Sequence, residues 1–283
     1  MQLRRGGSSP STSRSPLRSL FQELQAAASV SVRIYLRYPA WLVADIVTTP
    51  AWLVLFILPI LLFLPREQWS NPQTLTMLFW GWIFWDIVSA GLWNFGNAIR
   101  REQQMGTLEF LMLTNASRAI LFSRDIFSRI VSLALSLTYV YAFFTLLFNV
   151  KVVVINPVGV ALSLLIGLFT AMGFGLLYGA LVLRFKQVGP LNNILQFIIL
   201  GLSGAFFPVT ALPESARVAA LALPFTYSID LLRHYSMATP TLLPVTLEFV
   251  VLISYTALLL ALGISAVKLV ENRLKATGRL GTY

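Results

Sequence analysis

Trp82, Asp86, Ser89, Trp93 and Asn97 recur at steps of 4, 3, 4 and 4, so on a helix they share one face. A carboxylate, a hydroxyl, an amide and two indoles in that register can line an aqueous path. They can equally make hydrogen bonds between buried helices. A carboxylate in the middle of an apolar segment costs at least about 2.5 kcal/mol and normally faces a partner or water. Asn192, Asn193 and Gln196 form a second polar set inside an otherwise apolar run. They too fit either a cavity entrance, with Asn193 and Gln196 on the path, or an interhelical hydrogen-bond set.

Acid–base or metal chemistry is not what these groups offer. The chain has one histidine, His234, and no cysteine. Asp45, Asp86 and His234 are too scattered for a metal site or a catalytic constellation. No Gly-x-x-x-x-Gly-Lys-Ser/Thr phosphate loop occurs, so ATP chemistry is not expected on these residues. No cofactor is expected in this chain.

The longest charged interruption runs from Arg100 to Arg129, with cations at Arg100, Arg101, Arg118, Arg124 and Arg129 and acids at Glu102, Glu109 and Asp125. Gly106 ends the helix before it and Thr107 can cap the next. Leu108, Leu111 and Met112 then fall at i, i+3 and i+4, predicting a short amphipathic helix over 107–113. Such a helix at a membrane surface lies in the headgroups or presses into a groove on a soluble partner.

The elements that carry these residues are membrane spans. The sequence is 57% hydrophobic and 11% charged, against about 25% charged in a soluble domain. Its apolar residues come in runs of the length that crosses a ~30 Å hydrocarbon core. The predicted fold is all-α and integral to the membrane. Six transmembrane helices are expected at about 40–64, 74–98, 126–150, 157–183, 190–207 and 244–269. Pro50 and Pro59 predict bends in the first. In the fourth, Gly159, Ser163, Gly167, Ala171, Gly175 and Gly179 set a small residue at every fourth position. That ridge lets another backbone approach closely, in the same chain or in a partner chain.

The first of the flanking segments, residues 1–19, forms a disordered basic tail without the apolar core of a signal peptide. Residues 20–39 form an amphipathic interfacial helix, with Leu20, Phe21, Leu24, Ala27, Ala28, Val32 and Tyr35 on one side. The unit 40–270 is one transmembrane domain, and 271–283 is a cytoplasmic tail. Residues 208–240 are too interrupted by proline for a span and too apolar for a free loop, which predicts a re-entrant helical hairpin between the fifth and sixth spans. Seventeen of the 21 Lys and Arg residues fall on one side of this layout, leaving Arg66, Lys151, Arg217 and Arg233 on the other. The net charge of +10 is therefore read as positive-inside bias rather than as a nucleic-acid surface. Both termini and the 100–125 loop are expected in the cytoplasm.

Glu102-x-x-x-Gly106-Thr107-Leu108-Glu109, placed between the second and third of six spans, resembles the coupling loop of type-2 ABC exporter permeases. The loop begins Arg-Arg-Glu-Gln-Gln rather than with the denser acidic run common there. The outer segment is similar to that family's as well: Phe207-Pro208, Leu212-Pro213, Pro224-Phe225-Thr226-Tyr227 and then Arg233. The resemblance covers nearly the whole chain. It implies that Glu102, Gly106, Thr107, Leu108, Glu109, Leu111 and Met112 contact a separate ABC ATPase subunit, with ATP and Mg held there. It implies that the segment carrying Phe207, Pro208, Pro213, Pro224, Tyr227 and Arg233 gates the outer exit, and that the 20–39 helix touches the ATPase. A second permease chain, identical or a close paralogue, would complete the transporter in a lipid bilayer, with a bacterial inner (plasma) membrane as the expected location. The expected activity is export of a lipid-like or drug-like molecule by alternating access. A lipid-linked glycan is the alternative, because Trp82 and Trp93 can stack on sugar rings. A channel or membrane scaffold is the more distant reading.

Overall fold

The structure, a computed structural model, describes residues 39–106, 125–185 and 189–277, together with 25, 26, 29, 30, 33 and 37. The amphipathic helix expected over 20–39, the short helix expected over 107–113 and both tails thus lie wholly or mostly outside the described residues.

All regular structure among the described residues is helical. Helix α1 covers Pro39–Leu62 and stays helical through Pro50 and Pro59. A short 3₁₀ turn, Arg66–Gln68, leads to α2, Pro72–Gln104. Helix α3 covers Asp125–Phe148 and α4 covers Pro157–Phe185. Helix α5, Gly189–Leu202, has 14 residues. After a second 3₁₀ turn, Val209–Ala211, come the short α6, Glu214–Leu221, and α7, Pro224–Met237. Helix α8, Val245–Thr277, closes the chain.

Four of these helices contain a stretch long and apolar enough to cross a membrane: Pro72–Ala98, Arg129–Phe148, Pro157–Leu183 and Val245–Arg273. Two more apolar stretches, Ile46–Leu62 and Pro190–Leu202, are shorter. The fifth helix was expected to reach residue 207 and instead ends at Leu202. At 1.5 Å per residue its 14 residues extend about 21 Å, short of a ~30 Å core. The cause is local: Gly204 takes φ +76°, a left-handed turn that a helix cannot contain.

Helix α4 packs against α2, α7 and α8. The small-residue ridge explains how. A Cβ on Gly91 of α2 would strike the Ala171 carbonyl, and one on Gly175 would strike the Gly91 carbonyl, so α2 and α4 touch backbone to backbone. On the α8 side, a Cβ on Gly173 would lie 2.8 Å from the Leu259 carbonyl carbon. Near the start of α4, the ridge meets α7: Gly159 faces the Tyr235 ring, and Ser228 Oγ donates to the Ser163 carbonyl at 3.2 Å. The ridge thus serves neighbours in its own chain. Helix α2 is the most enclosed of the long apolar stretches, 78% buried, and α8 the least, 22%.

Candidate functional site

Helices α3 and α5 each pack against α2. Between Arg129 of α3 and Gln196 of α5 lies the part-exposed α2 face carrying Asp86, Ser89, Trp93 and Asn97, the groove of this account. The helix period puts those residues in register.

Asp86 pairs with Arg129 in the first turns of α3, Nη2 donating to its carboxylate. The same nitrogen donates to the Asp86 carbonyl at 3.1 Å. The side chains remain 20% exposed for Arg129 and 27% for Asp86, so the pair faces the groove rather than the core. The sequence placed Arg129 with the charges of the cytoplasmic loop; the structure sends its guanidinium up into the bundle.

One turn along, Gln196 of α5 bridges two members of the α2 face. Trp93 donates its indole N–H to Gln196 Oε1 at 2.7 Å, and Gln196 Nε2 donates to Ser89 Oγ at 2.8 Å. Three expected residues are therefore brought together, by hydrogen bonds between helices at the groove wall. Asn97 and Asn193 are exposed. Trp82 departs from the set. It is buried against Phe56 of α1, ring centroids 6.1 Å apart, with no partner for its indole nitrogen. In this conformation it offers no ring face to a sugar. Asn192, named in the sequence but not as a path residue, is buried with Oδ1 unpartnered.

The second site is the proline-broken segment between α5 and α8. Pro208 and Pro213 precede the 3₁₀ turn and α6, and Pro224 occupies the first turn of α7, where a missing N–H costs nothing. Thr226 Oγ1 donates to the Ala220 carbonyl at 2.6 Å and Tyr227 Oη to the Leu221 carbonyl at 2.7 Å, capping the end of α6. Arg233 is buried, 4% exposed, and turns back under the loop after α5. Its Nη1 donates to the Phe207 carbonyl at 3.0 Å, and Nη2 to the carbonyls of Ala205, at 2.8 Å, and of Gly204. Burial pulls this guanidinium down to about 10, against the opposing pull of Asp230. Phe207, Pro208, Tyr227 and Arg233 thus form one braced unit.

Sequence reasoning missed the acids of this unit. Asp230 Oδ2 accepts the Leu242 N–H at 2.8 Å, while burial pushes its carboxyl above the ordinary range. Glu248 is buried beside Asp230, carboxyl against carboxyl. Asp230 and Arg233 stand at i and i+3 on one helix, a spacing that could have been read; the burial of Glu248 at a helix start could not.

Of the coupling-loop residues, Gly106 is described. It takes φ +67° just after α2 ends, in agreement with its expected role as a helix breaker. Helix α2 itself runs past Arg100 to Gln104, further than expected. The Glu102 side chain and Thr107, Leu108, Glu109, Leu111 and Met112 lie outside the described residues.

Four helices long and apolar enough to cross a bilayer mark an integral helical membrane protein. A family profile described as ABC-2 type transporter matches residues 22–237, and the chain belongs to that family. Membership implies an ABC ATPase partner. Part of the chain is also similar to a protein of Haemophilus influenzae described as capsule polysaccharide export inner-membrane protein BexB. The two are 33% identical over 92 residues, 32% of this chain and 35% of that protein. A second protein so described, from the same organism, is 38% identical over 64 residues, 23% of this chain and 24% of its own length. The matches thus span about a third or less of these relatives.

Proposed function

We propose that this chain is the membrane permease subunit of an ATP-driven exporter, and that the α2 groove is where cargo passes. The observation that carries this reading is the row of part-exposed polar groups on α2, from Asp86 to Asn97, inside an apolar bundle of an ABC-2 family chain. Keeping a carboxylate and a guanidinium there has a cost, which a passing polar cargo would explain.

In this reading the chain has six spans, with α5 and the 203–207 turn together forming the fifth and α6–α7 dipping back into the membrane. Two permease chains and two ATPases complete the transporter, and both termini face the cytoplasm, as the distribution of cations suggests. Closure of the ATPases on ATP presses the 107–113 helix. Helix α2, unbroken from Pro72 to Gln104, carries that push into the groove floor. The braced unit around Arg233 then opens outward.

A glycan is the cargo best supported. The groove joins an indole, amides and a hydroxyl, which suit sugar hydroxyls and ring faces, and the similar Haemophilus influenzae proteins are described as capsule polysaccharide export inner-membrane proteins. A lipid-like or drug-like cargo is the second reading, favoured by the exposed apolar residues Ile194 and Phe197 on α5. Removing the chain from its native host separates the two. Glycan export predicts polymer retained in the cytoplasm and missing from the surface; unchanged surface polymer would contradict it.

A further inference from the structure

We propose that Arg129 is an anion-binding position in the groove, which takes a phosphate-type oxyanion in exchange for the Asp86 carboxylate. The inference rests on the reading of the groove as a path.

The two arginines held inside the bundle differ in what they have left to give. Arg233 spends both terminal nitrogens on three carbonyls and is enclosed. Arg129 makes both of its bonds through Nη2, to the Asp86 carboxylate and to the Asp86 carbonyl. Its Nε is enclosed without a partner, as is that of Arg233; the difference is Nη1, which among the described residues makes no hydrogen bond. A guanidinium carries five N–H donors, and among the described residues the two on Nη1 are left over.

A structural ion pair inside a membrane protein normally saturates its hydrogen bonds, because an idle donor there has no water to turn to. An underused guanidinium, 20% exposed on a groove wall, is poised for a second acceptor. A phosphate monoester or diester offers two or more oxygens at the spacing of the guanidinium fork. Asp86 has two consequences. It keeps the cation from standing alone when the groove is empty, and it competes with any arriving anion, so that binding stays reversible. The oxyanion can belong to the cargo or to a bilayer lipid headgroup, since both present the same atoms.

The test uses the full chain in nanodiscs of the phosphate-free lipid digalactosyldiacylglycerol, with radiolabelled dodecyl phosphate as probe and dodecyl maltoside as neutral comparator. Saturable binding of the phosphate is expected. Arg129→Gln is expected to weaken it by about tenfold or more, the effect of removing a charge-assisted hydrogen bond. Asp86→Asn, which removes the competitor, is expected to tighten it several-fold. The pair Asp86→Asn with Arg129→Gln leaves no buried charge unpaired and is expected to bind as weakly as Arg129→Gln alone. Competition by phosphatidylglycerol in the nanodisc would assign the oxyanion to lipid, and its absence to cargo. Binding that is absent from the parent chain, indifferent to Arg129→Gln, or weakened by Asp86→Asn would overturn the proposal. Maleimide labelling of Ser89→Cys in the same discs separates the two failures. Labelling with phosphate binding indifferent to Arg129→Gln removes the anion position and leaves the groove; no labelling removes the groove reading itself.

Discussion

Trp93 of α2 and Gln196 of α5 are joined by a 2.7 Å hydrogen bond, and the same Gln196 amide reaches Ser89 on the other side. One side chain thus ties the fifth helix to the groove floor through the groups most suited to meet cargo. Interhelical hydrogen bonds in membrane proteins average ~0.6 kcal/mol, so Gln196→Leu should cost the folded chain only about 1 kcal/mol. Export should nevertheless fall several-fold, because an indole N–H and a hydroxyl in the groove lose their partner. Export rates beside thermal unfolding of the purified variant measure both. Normal export with unchanged stability would mean the bridge does nothing.

Gly91 and Gly175 bring α2 and α4 into backbone contact, and the bundle depends on it. Gly91→Ala drives a methyl group into the Ala171 carbonyl, an overpacking that typically costs ~1–3 kcal/mol. Gly201→Ala on α5 has open space around the new Cβ and should be neutral or slightly stabilising. Melting temperatures of the two variants in one detergent make the comparison. Equal loss in both would show that the α2–α4 contact is not the tight one.

Arg233 braces the turn after α5 through three carbonyls. Arg233→Met leaves them without their donor in a buried site. Hydrogen bonds from a charged group contribute ~1.5–3 kcal/mol, so the segment should open locally well before the bundle unfolds. Hydrogen exchange at residues 204–211 should rise many-fold, with α2 and α4 unaffected. Arg233→Lys should give a partial effect, since an ammonium cannot match the planar fork. Unchanged exchange in Arg233→Met would contradict the brace.

Much of this was legible beforehand, for physical reasons that can be named. The α2 face could be read because the helical period sets the register of Asp86, Ser89, Trp93 and Asn97 whatever surrounds them. Gly106 and the prolines at 208, 213 and 224 could be read because their backbone restrictions are local. The partners could not. Nothing in the sequence says that Arg129 reaches Asp86, or that Gln196 rather than Asn193 meets Trp93, because those pairings depend on how α3 and α5 pack on α2. Trp82 illustrates the same limit: it shares the α2 register, yet Phe56 of α1 covers it. The early end of α5 turned on Gly204, whose left-handed φ is one option among several for a glycine.

The stretch from Glu102 to Glu109 supplies a prediction independent of the groove. Replacing both Glu102 and Glu109 by Ala removes the acids of the proposed docking surface. The ATPase should then hydrolyse ATP at a rate no longer linked to export, with export falling several-fold and the chain still inserted. Assays of both rates on one preparation decide it. Export and its coupling left unchanged would count against docking at this loop.

The most direct test of the central claim uses the absence of cysteine from the sequence. Single cysteines at Ser89, Asn97 and the fully buried Ile83 are exposed to a membrane-impermeant maleimide, with and without ATP and the partner ATPase. A path through the α2 groove predicts labelling at Ser89→Cys and Asn97→Cys, from a side of the membrane that changes with ATP, and none at Ile83→Cys. Labelling at Ser89→Cys and Asn97→Cys no faster than at Ile83→Cys, from either side and in either state, would contradict it.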